Sequence, residues 1–249
     1  MTRSLFLEIK CEFLKLYRTP SYFVPTLLFP LMFYMLFGVV MARQKAAMSF
    51  MSSYLLATYG AGGVIGAMMF GFAVGLAVER GMGWLQLKYA SPMRPAVYLV
   101  AKGIVCVVFG AVAVGLLFTM GALFGGVRMP FEQWLALGGT LVLGAIPFAA
   151  MALAIGYFAG ESAAPGIVNL IYMPMCFLSG LWIPFQMFPR ALQDLAPALP
   201  AYHFGQLALA VLGRSNNGAI ANHIAALAGF ALLFAAIAWI GHRREKRAM

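Results

Sequence analysis

Residues 22–41, YFVPTLLFPLMFYMLFGVVM, run for twenty positions without an Asp, Glu, Lys or Arg. Five further stretches share that property, at about 54–78, 103–125, 134–159, 163–184 and 219–241. A helix needs about 20 mostly apolar residues to cross a bilayer core, so each run is long enough. Lipid offers no partners to backbone N–H and C=O groups, which restricts spanning structures to helices and closed barrels. Barrel strands alternate polar and apolar positions over about ten residues, whereas these runs are continuous. The sequence therefore predicts an all-α integral membrane protein with six transmembrane helices, in a single transmembrane domain over residues 1–249. Composition agrees: 63% of residues are hydrophobic and 10% charged, against about 45–50% and about 25% in soluble domains. A disordered chain, which needs the opposite balance, is excluded as well.

A net charge of +10 invites a nucleic-acid partner, and its distribution argues for membrane topology instead. Arg3, Lys10, Lys15 and Arg18 precede the first run, and Arg43 and Lys45 follow it. Arg80, Lys88, Arg94 and Lys102 lie between the second and third runs, and Arg128 after the third. Arg190 and Arg214 separate the last two runs, and Arg243, Arg244, Lys246 and Arg247 close the chain. Alternate segments thus carry twelve basic residues on one side and five on the other. The positive-inside rule places the richer side in the cytoplasm. Both termini are expected there, in a multi-pass membrane protein whose charges face lipid headgroups and no nucleic acid. Cys11, Cys106 and Cys176 are far apart and form no disulfide framework or metal spacing. The first run is too long and starts too late for a cleavable signal peptide.

Two segments outside the runs have structure of their own. Residues 3–19, RSLFLEIKCEFLKLYRT, place Leu5, Phe6, Ile9, Phe13, Leu16 and Tyr17 at helical spacing, with Glu8, Lys10, Glu12 and Lys15 toward the other face. This amphipathic helix is too short and too charged to span, so it is expected along the bilayer surface until Pro20 ends it. Residues 187–213 are too long for a turn and too apolar for a free loop. They are expected to form short helices that re-enter the outer leaflet between the fifth and sixth spans. Gly62-x-x-x-Gly66, Gly71-x-x-x-Gly75 and Gly121-x-x-x-Gly125 read as close helix packing.

Catalytic chemistry is thinly represented. His203, His223 and His242 are dispersed, and no pair of carboxylates is expected to meet at one depth of the membrane. A proton- or sodium-coupled carrier ordinarily keeps an ionisable residue inside a span, and apart from His223 the runs have none. No Gly-x-x-x-x-Gly-Lys-[Ser/Thr] occurs either, so the chain lacks that cradle for ATP phosphates.

The stretch ERGMGWLQLKYASPMRP, residues 79–95, places charge between two apolar runs. Trp84, Leu85, Leu87 and Tyr89 stand at helical spacing, and the aromatic pair suits a membrane interface. Together with this stretch, Ser179-Gly180-Leu181-Trp182-Ile183-Pro184 and Pro189-Arg190-Ala191-Leu192-Gln193 follow the order of motifs in the ABC-2 type permeases, which the chain resembles over essentially its full length. Glu79-Arg80-Gly81 is similar to that family's Glu-Arg-x-x-Gly start of the first cytoplasmic loop. Ser91-Pro92 with Arg94 is similar to its Ser/Thr-Pro-basic segment. The chain departs from the family where Leu199 precedes Pro200 in place of Asn, and in the shorter spacing to Gly81.

The resemblance implies a dimer of six-span subunits above two separate ATP-binding cassette subunits, which would hold ATP and Mg. The second permease subunit would be an identical copy or a related chain. Residues 79–92 would be the coupling helix, with Glu79, Arg80, Gly81, Trp84, Leu85, Leu87, Ser91 and Pro92 at the ATPase. The loop at Gly160-Glu161-Ser162 would be a second contact through Glu161. The first, second and fifth spans would line the path, with Asn169, Tyr172, Met173, Phe177 and Ser179 as candidate wall residues. Met175 would add to an adaptable apolar surface. The function so implied is export of a hydrophobic or amphiphilic compound such as a drug, antibiotic or lipid-like molecule. Polysaccharide, glycolipid or ion export by the same machinery is an alternative. A membrane enzyme or assembly factor, and a secondary carrier, are alternatives of other classes.

Overall fold

The computed structural model describes residues 2–41, 48–90, 95–215 and 218–248. Among them the regular elements are helices. The first is α1, Thr2–Arg18. Pro20, harmless at a helix start because its missing N–H has no partner there anyway, opens α2, Pro20–Phe33. Pro30 withholds one ladder hydrogen bond from α2, and the helix continues as π-winding over Tyr34–Val40. Next comes α3, Met48–Gly66, which passes through a second π-wound stretch, Ala67–Val74, into α4, Gly75–Gly81. A short helix, α5, Trp84–Ala90, precedes α6, Pro95–Leu123. The pair α7, Phe131–Leu143, and α8, Ala145–Phe158, form one rod bent at Gly144, where a Cβ would run into the ring of Phe204.

The helix α9, Ala164–Leu178, stops earlier than the run 163–184 suggests. Gly180 adopts φ +79° there, and Leu181 N–H and Gly180 N–H close back on the carbonyls of Cys176 and Phe177. That left-handed ending suits glycine, which has no Cβ to clash. Short helices follow: 3-10 turns at Phe185–Met187 and Ala196–Ala198, α10 at Arg190–Leu195 and α11 at Pro200–Val211. The chain closes with α12, Ile220–Ala248.

Among the described residues, four helical rods are long and apolar enough to cross a membrane: Phe50–Gly81, Val97–Leu123, Phe131–Phe158 and Ile220–Lys246. Two shorter apolar helices, Val24–Val40 and Ala164–Leu178, stand where the first and fifth spans are expected. The rod from α3 to α4 is the axis of the bundle. It packs against α6, α8 and α11 and is largely buried, whereas α12 lies at the periphery against α8. Small residues permit this closeness. Gly62 and Gly66 lie under Trp182 and Tyr172, and Gly121 and Gly125 receive Leu56, Ser52 and Tyr34. Gly75 leaves room for the ammonium of Lys102, 3.1 Å from where a Cβ would stand. The glycine pairs therefore serve packing within the chain.

Candidate functional site

The geometry at the α1 end of the bundle starts from an inverted amphipathic helix. Phe6, Phe13 and Tyr17 of α1 point away from the protein, while Glu8, Glu12 and Lys15 turn toward α5, α4 and α6. Residues three and four apart share a helical face, so positions 8, 12 and 15 form one polar stripe. Lys102 of α6 is 5% exposed and donates to Glu12 at 2.9 Å and to Glu79 at 3.0 Å. Lys15 donates to the same two carboxylates at 2.7 and 3.1 Å. Tyr98 gives its phenolic proton to Glu79. Lys88 of α5 donates to Glu8, lies 3.6 Å from Glu12, and sits 3.9 Å above the Tyr98 ring.

The expectation that no carboxylates meet is thereby corrected, because Glu12 and Glu79, far apart in sequence, share Lys102. An uncompensated charge in this setting would be costly, and each here has an opposite partner. Burial pushes the Glu12 carboxyl up, and the ammonium groups of Lys102 and Lys15 outweigh it, bringing the pKa down to about 2. Burial likewise lowers the Lys15 ammonium, but hydrogen bonding to Glu12 and the charge of Glu79 leave it above its ordinary value.

The expected coupling residues fall into two groups. Glu79, Arg80 and Gly81 belong to the last turn of α4, continuous with the central rod. Arg80 donates to the carbonyls of Tyr157 and Ala159, the latter at 2.6 Å, and lies 3.4 Å from Glu245 of α12. It thus caps the negative end of α8 with a cation. Gly81 abuts Glu161, since a Cβ there would come within 2.7 Å of the Glu161 Cβ. The two segments expected at a partner are therefore neighbours. Gly83, at φ +75°, turns the chain into α5. In α5, Leu85 is 1% exposed and packs on Leu76, Tyr98 and Tyr157, while Met82 just before it, Trp84 and Leu87 are 65%, 50% and 69% exposed. Ser91 and Pro92 lie outside the described residues.

Three cavities follow one another along the rod. The first, about 340 Å³, opens beside Glu12, Lys15, Glu79 and Lys102 and is otherwise largely apolar. Phe70 belongs both to its wall and to the wall of the second, about 270 Å³, between α2, α3 and α9. Asn169, Tyr172 and Met173 line this second cavity with Pro25, Phe29 and Gly66. Trp182 contributes to the third, about 140 Å³, and its ring lies 5.2 Å from Phe29 and 5.9 Å from Tyr172. Phe177 meets Trp182 edge-on at 4.6 Å and is absent from the cavity walls. Ser179 is buried and bonds the Cys176 carbonyl at 3.2 Å, and Met175 is turned into the core. Tyr172 donates to the carbonyl of Gly62 at 3.0 Å, which fixes its ring between the second cavity and Trp182.

The contacts that several participants make had no sequence signal pointing to them. Glu12, Lys15, Lys88, Tyr98 and Trp182 look unexceptional in their own stretches. Lys102 offered one clue, a lone cation seven residues after Pro95 at the foot of an apolar helix. His203 and His223, separated in sequence, lie with their Nδ1 atoms 2.9 Å apart and join α11 to α12.

The family model for the ABC-2 type transporter matches residues 3–212 of this chain. A Bacillus subtilis (strain 168) protein named "Putative transport permease YvfS" is 26% identical over 194 residues, covering 78% of this chain and 79% of that protein.

Proposed function

We propose, on the premise that this chain belongs to the ABC-2 type transporter family, that it is the permease subunit of an ATP-driven exporter of hydrophobic or amphiphilic compounds. Family and helices together make it a multi-pass membrane transport permease. In the proposed arrangement six spans cross a bacterial inner membrane, counting the two shorter apolar helices. The termini, α1 and α5 then lie on the cytoplasmic side, and residues 187–213 re-enter from the outer side.

The construction of α5 carries this reading. One face is fastened to the bundle through Leu85 and Lys88, and the other offers Met82, Trp84 and Leu87 outward beside Glu161. A helix held this way transmits a push from a docked ATPase subunit into the α3–α4 rod and α6. ATP and Mg belong to that subunit, present in two copies beneath two permease chains, the second being an identical copy in the simplest assembly. The unpacked apolar positions Leu28 and Met32 of α2 and Leu170 of α9 suit contact with the second permease or with lipid. The middle cavity is walled mainly by rings, prolines and Met173. Such a lining favours an apolar cargo over a polysaccharide, which would need many more hydrogen-bonding groups.

Co-expression with the ATPase encoded beside this gene, followed by reconstitution, tests the proposal. The expected result is a stable complex that moves an apolar fluorescent dye across the vesicle membrane only with ATP. A purified chain that retains no nucleotide-binding subunit would sink it.

A further inference from the structure

A fourth cavity, of about 260 Å³, lies between α6, α8 and α12, away from the three along the central rod. Leu99, Leu153, Ala235 and Ala238 form its apolar walls, and Trp239 and His242 stand at its mouth. The slot exists because α12 presents alanines to α8 at this level, and two methyl groups leave space that larger side chains would fill. Tyr157 Oη lies 3.1 Å from His242 Nδ1, so a polar rim begins where the apolar wall ends.

The rim is strongly basic. The guanidinium of Arg243 sits 5.0 Å from the Trp239 ring centre, and that of Arg244 lies 5.7 Å from the ring centre of Phe158. Lys246 follows at the exposed surface. The single carboxylate of this terminal stretch, Glu245, lies 3.4 Å from Arg80 of α4, which offsets its charge. Three cations thus follow His242 within little more than one helical turn, and Arg243 among them lies over a ring that lines the slot.

We propose that this slot is a binding site for one anionic phospholipid, with an acyl chain along Leu99, Leu153 and Ala235 and the phosphate on Arg243, Arg244 and Lys246. Charge complementarity selects the occupant. A zwitterionic lipid brings a second, positive group to a rim already occupied by cations, and a free anion leaves the slot unfilled. Basic pockets between membrane helices take anionic headgroups for this reason. The bound lipid joins α8 to α12 beside Arg80 and so braces the last turn of α4. The site requires only that the chain sits in a bilayer, whatever its cargo or energy source.

The test is native mass spectrometry of the full-length chain in neutral detergent, with phosphatidylglycerol or phosphatidylcholine added. Each basic side chain near an anionic headgroup is worth about fivefold in affinity. The wild type is therefore expected to retain phosphatidylglycerol at least about tenfold better, and R243Q/R244Q/K246Q to lose that preference. Ala235→Phe fills the slot and is expected to abolish retention, while Ala236→Phe, one position off the wall, leaves it intact. Ala150→Phe serves as a second slot-filling variant should Ala235→Phe fail to fold. Millimolar inorganic phosphate is expected not to displace the lipid. Equal retention of both lipids, retention of the preference in a folded slot-filling variant, or displacement by phosphate alone would each overturn the proposal.

Discussion

Lys102 of α6 and Glu12 of α1 meet at 2.9 Å across 90 residues of sequence, both nearly excluded from solvent. This pair fastens the surface helix to the foot of the second long rod. Removing one member of an isolated buried pair costs about 3–5 kcal/mol, and Lys15 and Lys88, which also reach Glu12, hold the cost here below that range. Lys102→Met is expected to lower the unfolding midpoint in detergent and to open α1 to limited proteolysis. Lys102→Met combined with Glu12→Gln should recover part of the loss, since the lone charge has gone. Recovery stays incomplete because Glu79 keeps Lys15 but has lost Lys102.

The same cluster sets an acid limit. The Glu12 carboxyl has a folded pKa of about 2 against an ordinary 4.5. A depressed carboxylate pKa contributes stability in full above 4.5 and loses it as pH falls toward 2. Unfolding midpoints recorded over that window should drop more steeply for the wild type than for Glu12→Gln. Above pH 5 the wild-type curve should be flat with respect to this group.

Gly81 and Glu161 occupy one another's space. Gly81→Leu is expected to displace the Glu161 loop and to weaken ATP-driven transport and complex formation together, while leaving the bundle folded. Pairing it with Glu161→Ala frees room and should restore part of the assembly, read by co-purification of the ATPase subunit. Unchanged co-purification in Gly81→Leu would remove this corner from the docking surface.

Trp182 stands between the middle and outer cavities. Trp182→Ala deletes a large, partly buried ring, costing about 3–5 kcal/mol where packing is tight. It also joins the two spaces. The expected phenotype is dye movement that no longer depends fully on ATP, with Trp182→Phe retaining most of the coupling.

The four long apolar rods were legible because hydrocarbon demands long uncharged runs, and such runs survive in any one-dimensional reading. The polar stripe of α1 was legible as a stripe, but its direction was not. In water Glu8, Glu12 and Lys15 belong outside, and only tertiary partners at 79, 88 and 102 turn them inward. The end of α9 was blurred because Leu181, Trp182 and Ile183 continue the apolar run after Gly180 has already stopped the helix. The candidate wall residues part company for a related reason. Asn169, Tyr172 and Met173 reach the cavity, while Phe177 and Ser179 point to Trp182 and to the backbone.

The inward stripe of α1 also fixes an order of events during synthesis. A ribosome delivers α1 first, at about 5–20 residues per second, yet the ammonium that completes its binding site lies 90 positions later. The nascent chain must therefore carry Glu8, Glu12 and Lys15 at the surface through insertion of the first two hydrophobic segments. Only when α6 arrives can α1 be drawn in, so a helix made well before its partner is seated only after it.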